Sequence, residues 1–274
     1  MVAPESHPRA WSAPNLSRPA ASTMALRRRQ SSLRSHVLPG SCFVSGLDAI
    51  DDERIATVAL VHGLRALGLR VAAMTPMVSD GVSQAGRWTS EHLDRLGREG
   101  SFDLPGPALS PYVLPPAPTP AQAAELAGLR IKGQAVVETY QILATWADVV
   151  VVEGVGGLAV RLGPSLAVHD LVRRLSLPLV LAIHPDPDSL RRAGFAKRVA
   201  DSAGVRIAGW IATGMTIEAS KSLPDLVAAM GAPALAELPT QATSGSAAAK
   251  HLDLTALQCA LAVQASPSSK QGLA

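Results

Sequence analysis

The sequence predicts an α/β domain in which a parallel sheet carries helices on both faces. Three observations predict it. Apolar runs of four to six residues, at 42–45, 71–74, 149–152, 179–183, 207–212 and 234–238, recur along the chain between turn-forming Gly, Pro and Asp residues. Segments with helical spacing of apolar residues separate those runs, an alternation that implies a parallel sheet wrapped on both sides. The third observation is the run of four valines at 149–152, the composition of a strand buried on both faces.

Taken in order, the strand at 42–45 runs into Gly46 and a short turn. An amphipathic helix follows, with Ile55, Val58, Ala59, Val61, Leu64 and Leu67 on its buried side, and it ends at Gly68. The strand at 71–74 leads to an irregular stretch, 76–120, holding a short helix at 89–96 and the proline-dense segment 110–120. A long helix at 131–147 precedes the valine strand, which ends on Glu153 and a glycine-rich turn, Gly154-Val-Gly-Gly157. Helices at 167–175, 189–203 and 221–230 connect the remaining strands, and one more helix is expected at 252–263.

The chain has 274 residues and 47% hydrophobic content, enough for one soluble domain with a sizeable core. The expected division is a leader or disordered segment at 1–38, the α/β domain at 39–240, and a C-terminal helix with a flexible tail at 241–274. Six Arg and a single acid, Glu5, fall in residues 1–38. The remainder carries 19 basic against 21 acidic residues, and aromatic content is 3%, which argues against a nucleic-acid binder. The leader reads as a disordered tail, as sequence upstream of a true start at Met24, or as an Arg- and Ser-rich organelle-targeting segment. The expected location is the cytoplasm, with organelle targeting the alternative. No apolar stretch reaches membrane-spanning length. Two cysteines, Cys42 and Cys259, make no disulfide framework and read as core residues, and the scattered histidines suggest no zinc site.

The turn after the first strand has the layout of a phosphate-binding loop without its phosphate chemistry. Such a loop closes backbone N–H groups around a polyphosphate, with a Lys on the β/γ oxygens and a Ser or Thr on Mg²⁺. Here the turn reads Gly46-Leu-Asp-Ala-Ile-Asp-Asp-Glu-Arg54, with Glu53 at the Lys position and Arg54 at the hydroxyl position. No Lys precedes Lys132. Unit charges about 4 Å apart interact by roughly 4 kcal/mol at an effective dielectric near 20, so reversing the sign is a large penalty unless the side chain swings away. Asp51 or Asp52 also reads as a helix N-cap, and Glu53 suits the first turn of a helix. Glu153 emerges at the ligand edge of the sheet, either as a Mg²⁺ ligand or as a solvated carboxylate, and Gly154, Gly156 and Gly157 permit close backbone approach.

Together these segments resemble the dethiobiotin synthetase family over roughly residues 40–240. The counterparts of its motifs are Phe43-Val-Ser-Gly46, Thr75-Pro-Met-Val-Ser-Asp-Gly81, Ser110-Pro-Tyr112 with Pro118-Thr-Pro120, Val152-Glu-Gly-Val-Gly-Gly157 and Ala208-Gly-Trp-Ile-Ala-Thr213. The resemblance implies a P-loop NTPase-like fold, a homodimer, Mg²⁺ and ATP as cofactors, and 7,8-diaminopelargonic acid as a diamine substrate. In the family reaction CO₂ adds to form a carbamate, ATP phosphorylates it, and the second amine closes a ureido ring. By the same resemblance Thr75 stands where the family has its second catalytic Lys, and Ser79 keeps the substrate-contacting Ser. Glu153 keeps the Mg²⁺-binding Glu, Glu91 is the stand-in for the Mg²⁺-binding Asp, and Thr213 replaces the adenine-reading Asn. Gly46, Asp51, Asp52, Glu53, Arg54, Gly154, Gly156 and Pro239 complete the nucleotide side.

Both lysines and the adenine-reading amide are thus replaced within an intact hydrophobic scaffold. The leading reading is a family member of biotin biosynthesis that has lost most ATP binding and ligase activity. One alternative is an active, divergent synthetase using an Arg such as Arg54, Arg87 or Arg161. The other is a non-enzymatic regulatory or dimerising partner.

Overall fold

The first apolar run forms β1 (Cys42–Gly46), buried along its whole length. Helix α1 (Ile50–Ala66) follows, and the chain leaves it at Gly68, whose φ of 80° only glycine adopts without strain. Next come β2 (Val71–Met74), a small antiparallel pair made of β3 (Val82–Gln84) and β4 (Arg87–Thr89), and α2 (Glu91–Glu99). Ser90 accepts the Leu93 N–H at 3.2 Å and so fixes where α2 begins. Helices α3 (Pro120–Leu126) and α4 (Gly133–Ala144) lead to β5 (Val149–Glu153). A second antiparallel pair, β6 (Arg161–Gly163) and β7 (Leu166–Ala167), precedes α5 (Val168–Leu175). The chain then alternates through β8 (Leu179–Ile183), α6 (Ser189–Ala203), β9 (Ile207–Met215), α7 (Leu223–Met230) and β10 (Ala234–Pro239), and closes with α8 (Gly245–Ala249) and α9 (Leu254–Leu261).

This computed structural model describes residues 39–47, 50–84, 87–242 and 244–262, with residues 50, 51, 84 and 87 by backbone alone. The expected leader at 1–38, the tail beyond residue 262, Asp48 and the Asp51 side chain lie outside the described residues.

The six-stranded sheet runs β10-β9-β8-β1-β5-β2, and every pairing in it is parallel. Helix α1 packs with α2 and α8, while α4 to α7 pack as a consecutive row, so helices flank the sheet. The architecture is the expected single α/β domain of P-loop NTPase-like type. Phe43, the valines of β5, Leu181 and Trp210 are fully buried in one continuous core. Among the described residues no helix is long and apolar enough to cross a membrane.

The differences from expectation are local. The stretch 76–120 contains the β3–β4 pair, the short helix expected at 89–96 is present as α2 at Glu91–Glu99, and Pro120 opens a helix. The helix expected at 131–147 is shorter at both ends, Gly133–Ala144, and the Lys132 N–H just before it, which no helical carbonyl could take, is donated to the Tyr112 hydroxyl at 2.9 Å. The segment 221–230 begins as a 3₁₀ turn, Ala219–Ser222, and becomes α-helical at Leu223. Helix α9 starts only at Leu254, where Asp253 accepts the Thr255 and Ala256 N–H groups at 3.0 and 2.9 Å. Cys42 is buried, and burial pushes its thiol up to about 12, whereas Cys259, expected in the core, is exposed.

Candidate functional site

Strands β1 and β5 are neighbours, with Phe43 opposite Val152 and Val44 opposite Glu153. Their following turns therefore lie side by side at the carboxyl edge of the sheet, where ligands of such folds bind. Both turns are held by one side chain. Glu53, in the first turn of α1, is fully buried, and it accepts the Gly46 N–H at 2.6 Å on one oxygen and the Gly156 N–H at 2.8 Å on the other. Ser45 adds a link by donating its hydroxyl to the Gly156 carbonyl at 3.0 Å. The glycines are required by contact as well as by φ. A Cβ on Gly154 would lie 2.6 Å from the Val44 carbonyl oxygen and 2.8 Å from the Glu53 carboxyl, and one on Gly157 would lie 2.5 Å from the Leu47 carbonyl oxygen.

Glu53 does not swing away from the loop: its side chain points inward, between the two turns. Burial pushes its carboxyl well above the ordinary carboxylate range. The two N–H donors pull the other way, and the charges of Glu153 and Asp52 push it further up. A carboxyl with a raised folded pKa is bound more tightly to its proton in the folded than in the unfolded chain. Its stabilising effect is fullest below the unfolded value, about 4.3, and is lost as pH rises through the raised folded value. The stability of the parent relative to Glu53→Gln is therefore expected to fall over that window, by up to about 1.4 kcal/mol per pH unit. Denaturant titrations of both proteins at several pH values check it, and parallel profiles would contradict it.

Glu153 lies beside this cradle, 2% exposed. One of its oxygens meets His92 Nε2 at 2.5 Å, and the other, Oε2, is buried without a partner. His92 comes from α2, where the sequence reading had singled out its neighbour Glu91. Adjacent helical residues point about 100° apart, so only one of them can face the sheet edge. Glu91 faces solvent, with 88% of its side chain exposed, and pairs with Arg95 at 2.9 Å. His92 had no recognisable spacing to another chemical group, and no sequence signal marked it.

The other expected site residues are placed as follows. Thr213, buried in β9, donates its hydroxyl to Asp52 Oδ1 at 2.6 Å. Asp52 thus lies inside the first turn of α1 and is engaged across the site instead of capping the helix. Thr75 is buried at the end of β2 and turns its hydroxyl to the Met77 carbonyl at 3.2 Å, within its own turn. Arg54, Ser79 and Pro239 are half-buried. Beyond Gly157 a cleft of about 770 Å³ stays open, lined by Leu47, Leu158, Asp186, Arg192 and Phe195 among others.

Mg-ATP does not fit these residues. The Gly46 and Gly156 N–H groups at this edge are taken by Glu53, whose carboxyl lies buried between the two turns, and Asp52 occupies the Thr213 hydroxyl. Among the described residues no group of three or more His, Cys, Asp or Glu is arranged to hold a metal ion.

Fold and site define the class: a P-loop NTPase-like protein whose phosphate-binding loop is degenerate. Residues 55–248 match the family model described as AAA domain, and the match begins immediately after Glu53 and Arg54. The ATP-dependent dethiobiotin synthetase BioD of Ralstonia nicotianae is 32% identical over 222 residues, which covers 79% of this chain and 96% of that protein. The chain belongs to the dethiobiotin synthetase family, as a member with a degenerate loop. Among solved structures, the ParA family ATPase of Chlorobium tepidum has a TM-score of 0.48 at 15% identity, covering 82% of this chain and 100% of that one. The septum site-determining protein MinD of Pyrococcus horikoshii, solved with Mg-ADP, has 0.46 at 14% identity, covering 80% and 89%.

Proposed function

We propose that this protein is a dethiobiotin synthetase homologue of biotin biosynthesis that does not itself carry out ATP-dependent ureido ring closure. The observation that carries this reading is the Glu53 carboxyl, buried and bonded to the Gly46 and Gly156 N–H groups. Phosphoryl transfer depends on positioning and on positive charge around the transferred group. Here the position is taken, and the residues on it and beside it, Glu53, Asp52 and Glu153, are acids. Thr75 supplies a hydroxyl engaged with its own turn where the family has a second Lys.

Calorimetric titration with ATP, with and without Mg²⁺, is expected to give no saturable heat in the low micromolar range. The companion assay, dethiobiotin formation from 7,8-diaminopelargonic acid, ATP and bicarbonate, is expected to give no turnover. Tight Mg-ATP binding or measurable turnover by the unmodified protein overturns the reading, and Arg54 would then be the first residue to substitute. We also carry the family's homodimer over to this chain. Light scattering at micromolar concentration is expected to report a dimer, and a monomer would remove that part of the proposal.

A further inference from the structure

Glu53 does more than block a site. Its two oxygens receive two N–H groups from two different segments, one at the end of β1 and one after β5, far apart in sequence. An oxyanion bound in a cradle of backbone N–H groups is held in the same way. The surroundings are built to this contact. Gly154 has no room for a Cβ beside the Glu53 carboxyl, Ser45 ties the same two turns together, and Gly156 keeps a φ of 94° that presents its N–H inward. Next to the cradle stands a second buried carboxyl group, Glu153, with Oε2 unpartnered.

We propose that Glu53 is the resident ligand of the cradle: a tethered carboxyl that holds both turns in the geometry a bound oxyanion would impose. Removing it uncovers a latent site for a small oxyanion with two adjacent acceptor oxygens. The proposal rests on the preceding reading that this pocket is closed to nucleotide, and extends it. The fold acquires a ligand-loaded loop with nothing bound from solution, and the latch is a single side chain.

The test uses Glu53→Ala in the full chain, with acetate and inorganic phosphate as separate probes at about 50 mM, each against chloride at equal ionic strength. The parent's melting temperature is expected to respond to neither probe beyond the general salt effect. Glu53→Ala is expected to melt about 5–10 °C lower, since two buried N–H groups lose their acceptor, and to regain at least half of that loss with one of the probes. Acetate alone restoring it assigns the site to carboxylates, and phosphate restoring it assigns it to phosphate-like anions. The site-specific reading is hydrogen exchange at the Gly46 and Gly156 amides. These are expected to be protected in the parent, unprotected in Glu53→Ala, and protected again with the effective probe.

A gain in melting temperature no larger than the parent's, or no renewed protection at those two amides, overturns the proposal. Should Glu53→Ala fail to fold, Glu53→Ser is read in its place, and failure of both to fold with either probe present also overturns it. The two readings fail separately. Mg-ATP binding by the parent sinks the proposed function, whereas absent rescue in a parent that ignores ATP sinks only the latch.

Discussion

Glu53→Lys combined with Arg54→Thr is expected to gain nucleotide binding at a large cost in stability and to gain no turnover. Without nucleotide the change removes the acceptor from two buried N–H groups, at about 1–3 kcal/mol each, and adds an ammonium beside them. Loss of roughly 3–6 kcal/mol is expected, a large share of what a domain of this size has. Mg-ATP should restore part of it, read as a thermal shift that the parent lacks. Turnover should stay absent, because Thr75 still offers no cation to the carbamate and phosphoryl oxygens, and Thr213 still gives its hydroxyl to Asp52. Groups that act as one catalytic unit are strongly non-additive, so Thr75→Lys on this background is expected to change rate more than affinity. Dethiobiotin formation measured for the parent, the pair and the triple variant decides it. Full activity in the pair alone would show that the second lysine is dispensable here.

Trp210→Ala is expected to be the most destabilising single truncation in the sheet. Trp210 is fully buried in β9, and its indole N–H donates to the Ala232 carbonyl at 3.1 Å. Emptying such a position costs about 3–5 kcal/mol, and the abandoned carbonyl adds to that. For a domain of roughly two hundred residues this corresponds to a fall in melting temperature of about 10 °C or more. Trp210→Phe keeps most of the volume and loses only the N–H, so it should recover more than half of the difference. Equal melting temperatures for the two variants would assign the effect to the hydrogen bond instead of the packing.

The strands were legible because each is an apolar run bounded by turn residues, and β5 and β8 fall where the pattern put them. Helix α6 was legible to the residue, since its apolar spacing runs unbroken into Gly204 at a φ of 67°. Helix ends were less legible: α4 runs only from Gly133 to Ala144, and apolar spacing marks a helix's buried face without marking its ends. The site shows the same division. The sign of the charge at Glu53 was readable, but its pairing with Gly156 was not, because the pairing is created by the β1–β5 register. His92 was hidden for a related reason: its relation to Glu153 exists only once α2 is docked.

The central place of β1 has a consequence for how the chain acquires its fold. Its two hydrogen-bonding neighbours are β5, at Val149–Glu153, and β8, at Leu179–Ile183. Emerging from a ribosome, β1 has no edge to join until more than a hundred further residues have been made. Such long-range parallel pairing is slow, and unpaired apolar strands invite association with other chains while they wait. The same wait applies to the Glu53 contact, which needs Gly156. The cradle therefore cannot form before Gly156 has been made, and it cannot guide the steps of assembly that precede it.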